Sequence, residues 1–353
     1  MPTVETASPR PLRKINAAEP SLAVIGCGAI AASFHVPAVA SNQRFRERAI
    51  LVDPDISRAT ALASRFGLSR VEKDYRAVLP EIDAAIVTTP HHLHYPITID
   101  CIHNDVHVLC EKPLAETSVQ VETLVKEAEA RGILLAVNNT QRLYPTTRKV
   151  RELIEDGSLG KIRNIAIYWG DLFDWPTASG FRFTTGGKGA LIDQGAHAID
   201  LICWWLGGKP HLVHYHDDSM GGNEAVAKLE FELDGCSGEF HLSWLSRHEN
   251  AYYVRGERAS VEGSMYDFKS LVLKTSSGQS RRLNLDSPVP TIDGFSRLLV
   301  TNFADAITGH ADPFVTGADV APSIEFIEEC YARRQRFAMP WFDTMERISR
   351  DQA

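Results

Sequence analysis

The sequence predicts an α/β fold in two parts: an N-terminal doubly wound parallel sheet, then an α+β domain on a large, mostly antiparallel open sheet. Three observations predict it. Residues 21 to 137 alternate short apolar runs with helix-like segments, as strands buried on both faces of a parallel sheet require. The first apolar run passes straight into Gly26-Cys27-Gly28-Ala29-Ile30-Ala31. After about residue 140 the alternation gives way to successive strands separated by turn residues.

The elements follow in order. Strands are expected at Leu22–Gly26, Ala49–Asp53, Asp83–Thr88, Val106–Cys110 and Ile133–Val137. Helices are expected at Ala29–Ala40, Ser57–Phe66, Pro96–His103 and Thr117–Arg131. A further helix, Thr146–Glu155, is closed by Gly157 and leads to a strand through Ile162–Trp169. A polar, aromatic loop precedes a long helix from Ala190 to Leu206. From Leu212 to about Leu283 come strands such as Ala225–Leu233, Gly238–Trp244, Ala259–Glu262 and Leu271–Lys274, punctuated by Gly235, Gly256 and Gly278. Helices return at Phe295–Ile307 and Val320–Arg334. The expected division is a flexible tail over 1–20, a nucleotide domain over 21–140, a substrate and oligomerisation domain over 141–342, and a C-terminal tail over 343–353.

The small-residue turn reads G-x-G-x-x-A. Gly26 permits the tight turn, Gly28 lets a pyrophosphate approach the backbone, and Ala31 lets helix pack on strand. The amides at Ala29 and Ile30 then open a helix N-terminus toward phosphate charge. Asp53 ends the second strand, where an acid accepts hydrogen bonds from the adenosine ribose and repels a 2′-phosphate. These residues point to a dinucleotide cofactor, NAD in preference to NADP. Arg58 is the one nearby cation, expected on the next helix and facing solvent.

Three more segments stand out. The strand at Val106–Cys110 ends in Glu111-Lys112-Pro113; Thr88-Thr89-Pro90 is followed by His94; and Asp193-Gln194-Gly195-Ala196-His197 lies in a glycine-led helix. Together with Arg142-Leu143-Tyr144-Pro145, Gly157–Lys161 and the stretch Asp312-Pro313 to Met339-Pro340, they resemble the glucose-fructose oxidoreductase / inositol dehydrogenase (Gfo/Idh/MocA) family over roughly residues 21 to 342. The resemblance implies a Rossmann domain with Thr89, Pro90, His94, Glu111 and Lys112 near the cofactor. It implies Lys112, Asp193 and His197 as the catalytic set. It places Arg142, Tyr144, Asp171 and Arg182 beside the substrate, with the aromatic segment Tyr168–Trp175 facing the pocket. One departure is Lys188, which stands where the family has the middle of three glycines. The chemistry agrees: alcohol oxidation needs a base for the hydroxyl proton, and an ammonium stabilises a developing alkoxide. On a regular helix Asp193 and His197 share a face at i, i+4, so the carboxylate could orient the ring. Asp200, one turn on, reads as structural.

The implied activity is NAD-dependent hydride transfer at a secondary alcohol of a sugar, sugar derivative or cyclitol. Two alternatives stay open: a redox-neutral, NAD-assisted elimination of glycosidase type, and a non-catalytic NAD-binding regulator. A net charge of -8 argues against nucleic acid or an anionic membrane as partner. No apolar run approaches a membrane span, and the first 20 residues lack a secretory core, so a cytoplasmic protein is expected. Six cysteines without a C-x-x-C pair suggest reduced thiols. The histidines at 103 and 107, and at 211, 214 and 216, lack companion ligands at metal spacing, so no metal is expected. An exposed apolar face on the second sheet is expected to join subunits into a homodimer or homotetramer.

Overall fold

The structure, a computed structural model, describes residues 11–15, 19–174, 188–219 and 222–338. In the first sheet, β1 (Leu22–Ile25), β2 (Ala49–Val52), β3 (Arg70–Glu72), β4 (Ala84–Val87), β5 (His107–Glu111) and β6 (Leu135–Asn138) run in the order β3-β2-β1-β4-β5-β6. All neighbouring pairs are parallel. The chain builds outward from β1 to β3, then returns to β4 beside β1. That reversal leaves a crevice at the carboxyl ends of β1 and β4, the place where open α/β sheets bind ligands.

Helices α1 (Val36–Ser41), α2 (Ile56–Phe66), α3 (Tyr75–Val78), α4 (His91–His103) and α5 (Ser118–Arg131) cover the sheet. Side chains start three of them: Asp55 accepts from the amides of Ser57 and Arg58, Asp74 from that of Arg76, and Thr117 from that of Gln120. Residues Ala31–His35, expected as regular helix, form a π-helical turn leading into α1.

The second part opens with α6 (Pro145–Glu155) and β7 (Ile162–Gly170). A second π-helical turn, Leu191–Gly195, then enters α7 (Ala196–Leu206). Strands β8 (His211–Asp217), β9 (Val226–Leu233), β10 (Cys236–Ser243), β11 (Ala251–Gly256), β12 (Ala259–Ser264), β13 (Ser270–Thr275) and β14 (Ser280–Asn284) follow. Then come α8 (Asp293–Ile307), α9 (Gly317–Ala332) and the short β15 (Gln335–Arg336). The sheet order is β14-β13-β12-β11-β7-β10-β9-β8-β15. It is antiparallel except for β7–β10 and β8–β15.

Alternation sorts the two faces of this sheet. Ile165, Ile167, Phe240, Leu242 and Phe231 are buried inward, with Phe231 meeting Phe326 of α9 edge-on. Each such side chain contributes about 1.5–3 kcal/mol when fully buried. The outer face is not the apolar surface the sequence suggested. There Tyr168 donates to Glu239 at 2.5 Å, His241 pairs with the same carboxylate, and Tyr253 donates to Glu249. The alternate positions of β7, β10 and β11 carry polar and aromatic groups that bond to one another.

Two further expectations are corrected. Residues 11–15, counted as tail, pack on their own chain: Ile15 is buried, its amide donates to Ile307 O, and the Arg13 amide donates to Gly132 O. Helix α8, counted with the second part, returns to the first. Its Phe295, Leu299, Val300 and Phe303 share a core with Val36, Val39 and Phe45. Helix α9 packs against both α5 and α7. The expected C-terminal tail, 343–353, lies outside the described residues. No helix among the described residues is long and apolar enough to cross a membrane.

Candidate active site

A cleft of about 1190 Å³ lies at the carboxyl ends of the parallel strands and is walled by both parts of the chain. Gly26 turns with φ +98°, and a Cβ there would stand 2.9 Å from Thr88 O, so only glycine fits. Gly28 lines the cleft with nothing within 4 Å of an added Cβ, which leaves the backbone open to a phosphate. Ala29 and Ile30 line the same wall, while Ala31 is fully buried. Thr89 Oγ1 is buried in that wall and has no partner among the described residues. This cradle fits a dinucleotide.

Asp53 is buried at the end of β2. Its carboxylate receives the Cys27 amide at 2.8 Å and the Asp55 amide at 2.9 Å. Arg58 does not face solvent as expected. It starts α2 one turn from Asp55, within reach of two carboxylates, and folds back with 3.3 Å contacts to Asp53 and Asp55. Arg58 therefore lines the cleft with Asp53.

Behind the loop after β5 lies a buried polar group. Glu111 is within 2.6 Å of His35 Nε2 and receives Asn138 Nδ2 at 2.5 Å. Burial pushes this carboxyl up, but the His35 and Asn138 bonds and the Lys112 charge prevail and hold it at about 2. His94 is buried with its ring between two loops, 2.6 Å from Pro113 O and 2.8 Å from Thr89 O. It thus ties the Thr88-Thr89-Pro90 loop to Glu111-Lys112-Pro113.

Lys112 reaches across the cleft. Its Nζ donates to Asp193 Oδ1 and to Asp193 O, both at 2.8 Å. Asp193 Oδ1 also lies 3.9 Å from His91 Nε2. His197 Nδ1 donates to Asn139 Oδ1 at 3.1 Å. An amide oxygen can only accept, so the proton sits on Nδ1 and Nε2 keeps its lone pair. Burial, reinforced by Lys112 and opposed by Glu111 and Asp193, lowers this imidazole to about 3. The hydrogen-bond partner of the ring is thus Asn139, while Asp193 acts on it as a nearby charge. The ring is held neutral, and its Nε2 lone pair is the atom that accepts.

Of the expected substrate contacts, Tyr144 and Asp171 line the cleft. Tyr144 packs its ring against that of Phe295, tilted, with centroids 4.8 Å apart. Arg182 lies outside the described residues. Arg142 is a correction. It is buried away from the cleft, and its guanidinium forks onto Asp200 at 2.7 and 2.6 Å and onto Asp319 O at 2.9 Å. Asp200 is raised by burial, which the Arg142 contact only partly offsets. Arg142→Met is therefore expected to destabilise by about 3–5 kcal/mol, the usual cost of stranding a buried charge. Urea unfolding should show it, and Arg142→Met with Asp200→Leu should recover much of the loss. Lys188 turns to Glu116 O at 3.2 Å and does not line the cleft.

Asn139, His35 and Glu224 carry no motif that marks them in the sequence. Glu224 is fully buried and accepts from the amides of Gly189 and Leu191 and from Tyr331, holding the start of the helix that carries Asp193 and His197.

Residues 21–139 match the family model described as "Oxidoreductase family, NAD-binding Rossmann fold", and residues 147–262 match the "GFO/IDH/MocA C-terminal domain". The chain belongs to the GFO/IDH/MocA oxidoreductase family. Among relatives of this GFO/IDH/MocA protein, trans-1,2-dihydrobenzene-1,2-diol dehydrogenase of Mus musculus is 26% identical over 59% of the chain. The matched part spans 63% of that enzyme. The 1,5-anhydro-D-fructose reductase of Ensifer adhaerens is 25% identical over 84% of the chain and 90% of its own length. Levoglucosan dehydrogenase in complex with NADH and levoglucosan superposes with a TM-score of 0.78 at 19% identity, covering 89% of this chain and 97% of that one. A 3-ketoreductase from Actinomadura kijaniata in complex with NADP and TDP-benzene gives 0.78 at 21% identity, over 91% and 100%. These superpositions establish the shared fold.

Proposed function

We propose that this protein transfers hydride between a nicotinamide dinucleotide and a secondary alcohol, or the matching ketone, of a ring substrate of the sugar or cyclitol type. The observation that carries this reading is the Lys112–Asp193 contact across the cleft, with a neutral His197 beside it. The relatives' names support it, since they are dehydrogenases and reductases of ring alcohols or ketones. A nicotinamide held in this cleft would supply the hydride acceptor or donor. Lys112 spends two of its three N–H bonds on Asp193 and keeps one for the reacting oxygen. In oxidation, Asp193 draws a proton from the ammonium as the lysine nitrogen takes the hydroxyl proton. Reduction runs the same relay backward. His197 Nε2 accepts from a neighbouring hydroxyl and fixes the ring's orientation.

NAD is the proposed cofactor, because a 2′-phosphate would meet the Asp53 carboxylate. Arg58 softens that repulsion. NAD should bind at least about tenfold more tightly than NADP, roughly 1.4 kcal/mol, and Arg58→Ala should widen the gap. Titration with each cofactor checks this, and a preference for NADP sinks the assignment. The activity itself is tested by NADH formation from a panel of cyclitols, anhydro sugars and sugar phosphates, with product analysis. Product formed with no net NADH would replace the proposal with the redox-neutral alternative.

A further inference from the structure

The Lys112–Asp193 contact depends on where the π-helical turn Leu191–Gly195 begins. The amides that open a helical turn have no partner within it. Here each finds an acceptor on a distant part of the chain. The Gly189 amide donates to both oxygens of the Glu224 carboxylate at 2.9 Å, and the Leu191 amide donates to Oε1 at 2.8 Å. The Ala190 amide donates to Glu224 O at 2.9 Å, and the Ile192 amide to Tyr331 OH at 3.2 Å. Tyr331 in turn donates its hydroxyl proton to Glu224 Oε1 at 2.8 Å. The consecutive amides from Gly189 to Ile192 thus rest on two residues, Glu224 and Tyr331. The approach is so close that a Cβ on Gly189 would stand 2.1 Å from Glu224 O.

These two residues are themselves held. Glu224 lies between β8 and β9, where the next amides, of Ala225 and Val226, both donate to Asp218 Oδ1 at 2.9 Å. Arg334, just beyond α9, donates to Glu224 Oε2 at 3.2 Å and stands 2.6 Å from the Asp217 carboxylate. Glu224 and Asp217 are both fully buried. A carboxylate withdrawn from water is costly unless donors surround it, so this one holds its partners in place. From Glu224 the path to the cleft is short. The carbonyl of Gly189 receives the Asp193 amide at 3.2 Å. Asp193 then receives Lys112 through both its carbonyl and its carboxylate.

We propose that Glu224 and Tyr331 are positioning residues: they set the first turn of the Asp193 helix and so hold the Lys112 ammonium in place across the cleft. Neither of them lines the cleft. This inference rests on the reading of Lys112 and Asp193 as the groups that handle the proton, and deepens it.

The test begins with a readout that needs no substrate. N-hydroxysuccinimide acetate labels amines in the full-length protein, and mass spectrometry follows Lys112 against Lys126, whose side chain is 70% exposed. The Lys112 side chain is 14% exposed and should label slowly in the wild type. Glu224→Gln and Tyr331→Phe should each speed Lys112 by about tenfold relative to Lys126, as local opening becomes easier. Cys203, buried in α7, should stay closed to iodoacetamide in both variants. Should Glu224→Gln fail to fold, Tyr331→Phe decides alone. Unchanged labelling of Lys112 in folded Tyr331→Phe overturns the inference. So does an equal opening of Cys203, which would mark a general loss of packing. With a substrate found by NADH formation, Tyr331→Phe should lower kcat by about tenfold, the result of a displaced reacting group, with KM and NAD affinity unchanged. Added to Lys112→Met, it should cost nothing further. Faster labelling with unchanged kcat would support the positioning of Lys112 and count against its catalytic role.

Discussion

Lys112→Met is expected to lower turnover by about a hundredfold to ten-thousandfold, the range for losing a positioned proton-transfer group. The size follows from its place. Lys112 stands at the carboxyl end of β5, and its ammonium crosses to Asp193 with two bonds of 2.8 Å. Methionine keeps most of the length of the side chain and removes every side-chain N–H. The variant also takes the Lys112 ammonium away from Asp193, whose side chain is only 7% exposed. Some loss of stability is therefore expected alongside the loss of rate. Lys112→Met with Asp193→Asn separates the two: it should regain the melting temperature while turnover stays low. Near-wild-type turnover in a folded single variant that binds NAD would remove the lysine from the mechanism.

His197→Ala should lower kcat/KM by about a hundredfold, the scale on which a misplaced substrate loses reactivity. NAD binding should change little, because the ring acts on the substrate. The pH profile distinguishes this orienting role from that of a titrating base. Burial and Lys112 hold the imidazole at about 3, so it stays neutral as the pH falls from the neutral range until near that value. Wild-type kcat/KM should accordingly show no acid limb from this group between about pH 5 and 8, where an ordinary histidine titrates. The variant should lower the profile without changing its shape there. An acid limb near pH 6.5 that vanishes in His197→Ala would restore the ring as the base. Asn139→Leu should reproduce part of the loss by releasing the Nδ1 proton from its acceptor.

Much of this architecture is written in local pattern. The buried parallel strands are short apolar runs, and their predicted bounds differ from the observed ones by a residue or two. Strand β3, Arg70–Glu72, escaped notice because it is a short, partly exposed edge with charged ends. Strand β14, Ser280–Asn284, is likewise polar and largely exposed. Neither needs the apolar signal that reveals a buried strand. The cofactor turn was legible because its glycines serve geometry that is local in sequence. The candidate site was legible where motifs carry it, at Lys112, Asp193 and His197. It was not legible where partners are distant: Arg142 meets Asp200 and His197 meets Asn139, each pair 58 positions apart. A π-helical turn leaves no compositional mark either, so the one at Leu191–Gly195 was invisible before the backbone was in view.

The return of α8 and α9 bears on any attempt to recombine this protein with a relative. A chimera cut at residue 140 would join a foreign nucleotide half to α8 side chains shaped for Val36, Val39 and Phe45. It would also seat α9 between an α5 and an α7 of different parentage. Close-packed interiors tolerate such mismatches poorly. The exchangeable unit on the nucleotide side is therefore discontinuous: residues up to about 140 together with α8 and the facing surface of α9. The long segment between them, which carries the second sheet and its side of the cleft, is the cassette that can be swapped between parents.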